Sequence, residues 1–152
     1  MLIADHGLRC GEVAGLLVTA FDLRTGVFVF HRPKVNKVQT HRITADATRA
    51  AATYLLIDAP PIGRLLLGSR KDGALSGGMS ERAINGRVSV LGAAVSVVGL
   101  SPHDCQHFWA TRAARMGTDP FALQDAGGWN SLAMPRRYID SAKIANEGVK
   151  LD

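Results

Sequence analysis

The sequence predicts a mostly helical, α+β domain with one small antiparallel hairpin, and three observations favour this fold class. Its 152 residues, 47% hydrophobic and 20% charged, suit a single domain that buries its own core. Over most of the chain, apolar residues recur at helical spacing behind capping residues. One pair of neighbouring segments combines β-branched and aromatic residues in the way typical of strands.

The first 57 residues are predicted to form two helices that flank the hairpin. In chain order, the elements are a helix over Leu8–Val18, strands at Val27–Phe30 and Val38–Ile43, a turn between them at Pro33–Lys37, and a helix from Thr44 to about Ile57. In the first helix, Arg9 and Glu12 lie three positions apart and share a face. Thr44 can cap the second helix, because its hydroxyl accepts from the N–H groups of the first turn.

Glycine and proline interrupt the middle of the chain. Asp58–Met79 is rich in both and is predicted to be mostly loop, with a short buried piece at Leu65–Leu67. A helix is predicted to start at Ser80. Its apolar stripe, spaced by four and three residues in alternation, consists of Ile84, Val88, Leu91, Val95 and Val98.

Further helices are predicted in the last third of the chain. They cover about Ser101–Met116, about Asp119–Gly128, a helical or turn segment at Asn130–Tyr138, and a short terminal helix over residues 140–152. The first is the best marked: Ser101 caps it, Pro102 takes its first position, and Asp104 can reach back to the cap. Glycines then end the first two helices.

Positive charge is concentrated in the middle of the chain. The net charge is +5, and residues 24–87 hold eleven Lys and Arg against four acidic residues, whereas residues 88–152 balance at six against six. A basic stretch on a neutral remainder is typical of proteins that bind polyanions, although a solvated basic face is the simpler alternative.

Membrane, secreted and metal-dependent classes are not favoured. No apolar stretch approaches the ~20 residues of a membrane span, and no signal peptide is expected. Cys10 and Cys105 are too few and too distant in sequence to indicate a disulfide framework, which favours the cytoplasm. On a helix Cys105 points away from His103 and His107, so we expect no metal site and no other cofactor.

Short motifs are distributed along nearly the whole chain, from about residue 5 to residue 145. They are Gly7–Val13, Lys34–Lys37, Leu67–Arg70, Pro102–Arg112, Ala126–Ser131 and Arg137–Tyr138. In this order, and with Trp129 and Tyr138 nine positions apart, they resemble the catalytic domain of tyrosine recombinases, the phage integrase family. That family carries a Gly-Leu-Arg-x-x-Glu helix, a Lys-Gly-x-Lys turn, a Phe-x-Ser-Arg segment, a His-x-x-Arg-His helix start and a late tyrosine.

The resemblance implies a function and a role for each site residue. Tyr138 would attack a DNA phosphate, giving a 3′-phosphotyrosyl link and a free 5′-hydroxyl. The other implied roles are a phosphate clamp (Arg9, held by Glu12), a general acid (Lys34, with Lys37 as competitor), proton transfer on the nucleophile side (His103, with His107 beside it) and an indole donor to the phosphate (Trp129). Duplex DNA is the implied partner, with a tetramer on DNA in the family, and the implied DNA contacts are Arg32, Lys37, Arg42, Arg70, Arg136 and Arg137.

Two features depart from the family pattern. Gln106 stands where the family has its second arginine, and a neutral amide offers neither the charge nor the fork of a guanidinium. The chain is therefore expected to be an impaired recombinase, either naturally or through an introduced substitution. In addition, family members carry a further helix and a DNA-clamping domain before the Arg9 motif, so residues 1–152 are expected to be an N-terminally truncated catalytic domain.

Other interpretations stay open from sequence alone. The chain could be a non-catalytic, DNA-binding remnant of the same fold, or a helical DNA-binding regulator with no active site. Taken singly, Arg9 and Glu12 fit a surface ion pair, and Trp129 and Tyr138 fit packed aromatic residues. The C-terminal segment Ile139–Asp152 cannot bury its apolar residues by itself, so it is expected to pack on a second chain or to be poorly ordered in a monomer.

Overall fold

The computed structural model describes residues 1–142 and confirms a mostly helical α+β fold. The helices are α1 (Leu2–His6), α2 (Cys10–Gly15), α3 (Ala45–Ile57), α4 (Glu81–Ala94), α5 (Pro102–Arg115), α6 (Pro120–Gly127) and α7 (Ala133–Ala142), and the strands are β1 (Phe21–Asp22), β2 (Val27–Arg32), β3 (Lys37–Arg42), β4 (Leu67–Ser69) and β5 (Leu75–Gly78). Strands β1, β2 and β3 form one antiparallel sheet in that order, and β4 and β5 form a second.

The helix predicted over Leu8–Val18 is confirmed only as the shorter α2, and a separate short helix, α1, precedes it. Gly7 ends α1 in the left-handed conformation (φ +67°), which residues with a side chain rarely adopt. Arg9 then starts α2 from an extended conformation, and the Glu12 carboxylate accepts from the Arg9 backbone N–H at 2.8 Å. Arg9 therefore lies at the entrance to a short helix rather than on the face of a long one.

The predicted hairpin is confirmed, and β1 extends it to three strands. β2 pairs with β3 along its whole length, and the turn between them is a single 3-10 turn at Pro33–Val35. Alternate residues of β2 face the protein interior, so that Phe28, Phe30 and Arg32 are all buried. The two phenylalanines pack in the core with the residues of α1, α2 and α3.

The middle of the chain departs from the sequence prediction in two places. The stretch predicted to be mostly loop over Asp58–Met79 contains the β4–β5 hairpin, although Leu65 is buried as expected. Helix α4 begins behind Ser80 as predicted but ends at Ala94. Most of the apolar stripe, including Leu91 and Val98, is exposed, so the helical spacing of these residues does not mark a buried face.

The last three described helices form a second core cluster around Ala110, Leu123 and Tyr138. The predicted capping box of α5 is present, with the Asp104 carboxylate accepting from the Ser101 backbone N–H at 2.9 Å. Helix α7 accommodates Pro135 in its first turn, where its missing N–H is not needed. The predicted terminal helix and the packing of Ile139–Asp152 lie largely outside the described residues. No helix among those described combines the length and apolar character needed to cross a bilayer.

Candidate active site

A buried arginine–glutamate cluster, consisting of Arg9, Glu12 and Arg32, joins helix α2 to strand β2. The Glu12 carboxylate accepts from Arg9 Nη1 at 3.0 Å and from Arg32 Nη1 at 2.8 and 3.0 Å. Its side chain is only 2% exposed, and that of Arg32 is fully buried. Burial lowers the pKa of Arg32, and the neighbouring Glu12 opposes that effect. Glu12 thus holds Arg9 in place and also pairs with a second arginine, which leaves the cluster with one positive charge in excess.

The same two arginines also hold the C-terminal end of α6. Arg9 Nη2 donates to the carbonyls of Gly127 and Gly128, at 3.3 Å each, and Arg32 Nη2 donates to the carbonyl of Ala126. These are carbonyls that a helix end leaves without partners inside the helix, and cations are favoured there. A Cβ on Gly128 would lie 2.5 Å from Arg32 Cδ, so the glycine permits this close approach. Trp129, the next residue, is placed by this contact.

The predicted contact between Arg32 and DNA is wrong. Its guanidinium is enclosed by Glu12, Gln39 and the end of α6, and the guanidinium carbon Cζ lies 4.9 Å from the centroid of the Phe30 ring. No donor remains accessible to a phosphate, since the side chain has no exposed surface. Arg32 instead ties the hairpin to the Arg9 helix. The sequence signal for this position is its alternation with Phe28 and Phe30 on one face of a strand.

Arg9, His103 and Gln106 line one cavity of about 370 Å³, between the start of α2 and the start of α5. The side chain of Arg9 is 24% exposed. The Gln106 amide donates to the Gly7 carbonyl at 2.9 Å. Gly7 in turn lies against Trp109, where a Cβ would come within 2.4 Å of the indole ring. Gln106 therefore fastens the chain segment that carries Arg9 to helix α5.

Tyr138 is connected to this cavity through two histidines. Its hydroxyl oxygen lies 2.8 Å from His107 Nδ1, and His107 Nε2 lies 2.7 Å from His103 Nε2. Tyr138 is 6% exposed, and Trp129 stacks on its ring at a centroid distance of 5.7 Å. Tyr138 does not itself line the cavity of Arg9 and Gln106, so His103 is the residue common to both groups.

The electrostatics of this group follow from burial. Burial raises the pKa of the Tyr138 hydroxyl, and the positive charge of Arg137 opposes that change without cancelling it. Burial also lowers the pKa of His107, and the neighbouring His103 and Arg137 act in the same direction. His107 is thereby kept as a neutral imidazole, which has one donor and one acceptor nitrogen.

The remaining predicted DNA contacts are on the surface. Lys34 lies in the exposed turn between β2 and β3, and Lys37 begins β3 with its ammonium 3.7 Å from an Asp125 carboxylate oxygen. The other exposed members of the predicted set are Arg42, Arg70, Arg136 and Arg137. Lys34 is not among the residues that line the Arg9 cavity in this conformation.

Comparison with known proteins agrees with the motif analysis. The model of the phage integrase family matches residues 1–144. Similar solved structures are the XerA recombinase (23% identity, TM-score 0.76, 93% of this chain and 51% of that chain), the Tn1549 transposon integrase in complex with a circular intermediate DNA (19%, 0.73, 90% and 51%) and the XerH site-specific recombinase bound to a palindromic difH substrate (20%, 0.74, 93% and 41%). The chain spans about half of the length of these structures or less. No curated protein matches the sequence.

Proposed function

The chain belongs to the phage integrase family, and we propose that it is the catalytic domain of a site-specific DNA recombinase that cleaves and rejoins strands through a 3′-phosphotyrosyl intermediate. The observation that carries this proposal is the connection of a tyrosine hydroxyl, through two histidines, to a cavity that holds a fixed arginine. Duplex DNA as substrate and a tetramer on DNA are part of the proposal, and the DNA in the Tn1549 and XerH complexes supports the first of these.

In this mechanism the cavity receives the scissile phosphate. Attack on phosphorus places additional negative charge on the non-bridging oxygens, and a preorganised cation stabilises that charge without reorganising. Arg9 suits this role, because Glu12 and the α6 carbonyls fix its guanidinium while part of it stays exposed. A guanidinium can contact two phosphate oxygens at once.

The leaving 5′-oxygen needs a proton, and Lys34 is the proposed donor. Its ammonium lies in an exposed turn on β2–β3, and the buried Arg32 two residues earlier anchors that hairpin to the Arg9 helix. A flexible ammonium can follow the DNA into the cavity and deliver the proton. Lys37 is the less suitable donor, since Asp125 already lies beside it.

Gln106 favours a second candidate function, that of a DNA-binding remnant with little or no cleavage activity. The amide lies on the cavity, but its nitrogen donates to the Gly7 carbonyl. The phosphate would therefore meet one fixed cation from this pair of positions instead of two. Removal of a single oxyanion donor costs about 10²–10³ in rate in other enzymes.

A covalent-capture assay separates the two functions. The chain and its Gln106→Arg variant are incubated with a pool of nicked duplexes of randomised sequence, in which loss of the short strand traps any cleaved intermediate. Recombinase chemistry predicts a protein–DNA adduct that survives denaturation, much more of it in Gln106→Arg, and none in Tyr138→Phe. Duplex binding without an adduct in any variant would instead assign the chain as a binding protein.

A further inference from the structure

His107 stands between the proposed nucleophile and the histidine at the cavity. Its two ring nitrogens face different partners: Nδ1 lies 2.8 Å from the Tyr138 hydroxyl and Nε2 lies 2.7 Å from His103 Nε2. The three rings pack edge to face, with centroid distances of 4.2 and 5.4 Å. His103 therefore reaches Tyr138 only through His107 in this arrangement.

The number of donors and acceptors on each group decides which group donates in these two hydrogen bonds. A neutral imidazole has one N–H, so His107 can donate to only one of its two partners. If it donated to Tyr138, the hydroxyl proton of that buried residue would lack an acceptor among residues 1–142, because His107 is the one partner of the hydroxyl there. A buried donor without an acceptor is unfavourable. Tyr138 therefore donates to His107 Nδ1, and His107 Nε2–H donates to His103.

We propose that His107 is the proton acceptor for Tyr138 and that it passes its own Nε2 proton to His103. This inference rests on the proposed function. As the phenolate oxygen bonds to phosphorus, the hydroxyl proton moves to His107 Nδ1 and the Nε2 proton moves to His103 Nε2. The P–O5′ bond breaks, and the 5′-oxygen takes a proton from Lys34. His107 is neutral before and after the step, and the charge appears on His103.

The burial of the three residues is consistent with their proposed roles in proton transfer. Tyr138 is buried and His107 is half-buried, whereas His103 is exposed and lines the cavity. The imidazolium thus forms where water and the phosphate charge can stabilise it, with the Asp104 carboxylate next in sequence. The lowered pKa of His107, which faces Arg137 and His103 as well as Asp104, keeps the relay in its neutral starting state.

The first test needs no DNA. The ¹⁵N chemical shifts of the His107 ring, measured in the chain alone, distinguish its two neutral tautomers. The proposal predicts a proton on Nε2 and none on Nδ1. A proton on Nδ1 would overturn it, because that nitrogen could then not accept from Tyr138.

The second test uses the rate of adduct formation against pH in the Gln106→Arg chain. His107→Gln keeps a hydrogen-bonding side chain but cannot relay a proton, and we expect a loss of about 10²-fold or more at neutral pH. That loss should shrink as the pH rises above ~10, the ordinary pKa of a phenol, toward the raised pKa of Tyr138, because the phenolate then forms without an acceptor. His103→Gln should cost a similar factor, and the double variant should be no slower than the slower single variant, because one relay is lost either way.

The outcomes separate the relay from the proposed function. Two results would overturn the relay while leaving the recombinase function intact. One is a loss of rate in the double variant equal to the product of the single losses. The other is a rate of His107→Gln that stays below that of its parent by the same factor at every pH. If even Gln106→Arg forms no adduct, the proposed function fails. The ¹⁵N measurement then still decides whether Tyr138 donates to His107. The same measurement decides this if His107→Gln does not fold.

Discussion

Replacement of Arg32 by methionine tests the arginine–glutamate cluster most severely. The change keeps an unbranched side chain of similar length and removes the charge that faces Glu12 on β2. Glu12 would keep only Arg9 as its partner, with 2% of its side chain exposed to water. Breaking a buried ion pair costs about 3–5 kcal/mol when the remaining charge is left without a partner, and this is the upper limit for Arg32→Met because Glu12 keeps its pair with Arg9. A domain of this size has about 5–15 kcal/mol of stability, so even part of that cost is a substantial fraction of it.

Urea unfolding followed by the fluorescence of the two tryptophans gives the free energy of unfolding. The exposed pair of Arg49 with Asp46 supplies the matched control, and Arg49→Met should change stability by less than about 1 kcal/mol. The double variant Glu12→Gln, Arg32→Met should lose less free energy of unfolding than the sum of the two single variants. The reason is that Arg32→Met removes a charge that Glu12→Gln alone would leave without its partner. If Arg32→Met costs no more than Arg49→Met, the cluster does not hold β2 against α2 as described.

Three further predictions concern the site, the surface and the core. Gln106→Arg should raise the rate of adduct formation by at least about 10²-fold in the capture assay, and an unchanged rate would mean that position 106 does not face the phosphate. Duplex binding should weaken with salt at a log–log slope of about −4 to −5, since five exposed basic residues remain in residues 24–49 once Arg32 is excluded; salt-independent binding would contradict this. Burial, with Arg32 and His6 nearby, lowers the pKa of His41 to about 4, whereas its ordinary value is 6.5. The unfolded chain therefore takes up that proton first, and the free energy of unfolding should fall by at most about 3 kcal/mol as the pH drops from 6.5 to 4, a loss that His41→Gln should reduce.

The elements with strong end signals were predictable from sequence. Ser101 and Asp104 fix the start of α5, and Thr44 and Ser80 fix two other helices, because caps satisfy N–H groups that the helix itself leaves free. Those fixed starts explain why the motif spacing brings His103 and Gln106 to the same cavity as Arg9. By contrast, β4 and β5 carry little side-chain pattern, and their pairing depends on backbone hydrogen bonds.

The parts of the site that escaped prediction depend on contacts distant in sequence. Arg32 looked like a surface cation because its partner, Glu12, lies 20 positions away and the α6 carbonyl lies 94 away. The place of His107 between His103 and Tyr138 requires the packing of α7 on α5, which no local spacing encodes. In α4 the spacing of the apolar residues correctly predicted a helix. Most of these residues are nevertheless exposed, because no described element covers most of that face of the helix. Periodicity alone therefore does not predict burial.

The identity of the residue that bonds to DNA decides whether Tyr138 is the nucleophile. Adducts of the Gln106→Arg chain, trapped on nicked duplex, are digested with protease and nuclease, and the nucleotide-bearing peptide is sequenced by mass spectrometry. We expect a single modified residue, Tyr138, joined to a 3′-phosphate, with a 5′-hydroxyl on the other end of the cleaved strand. A nucleotide on any other residue, or an adduct that persists in Tyr138→Phe, would contradict it.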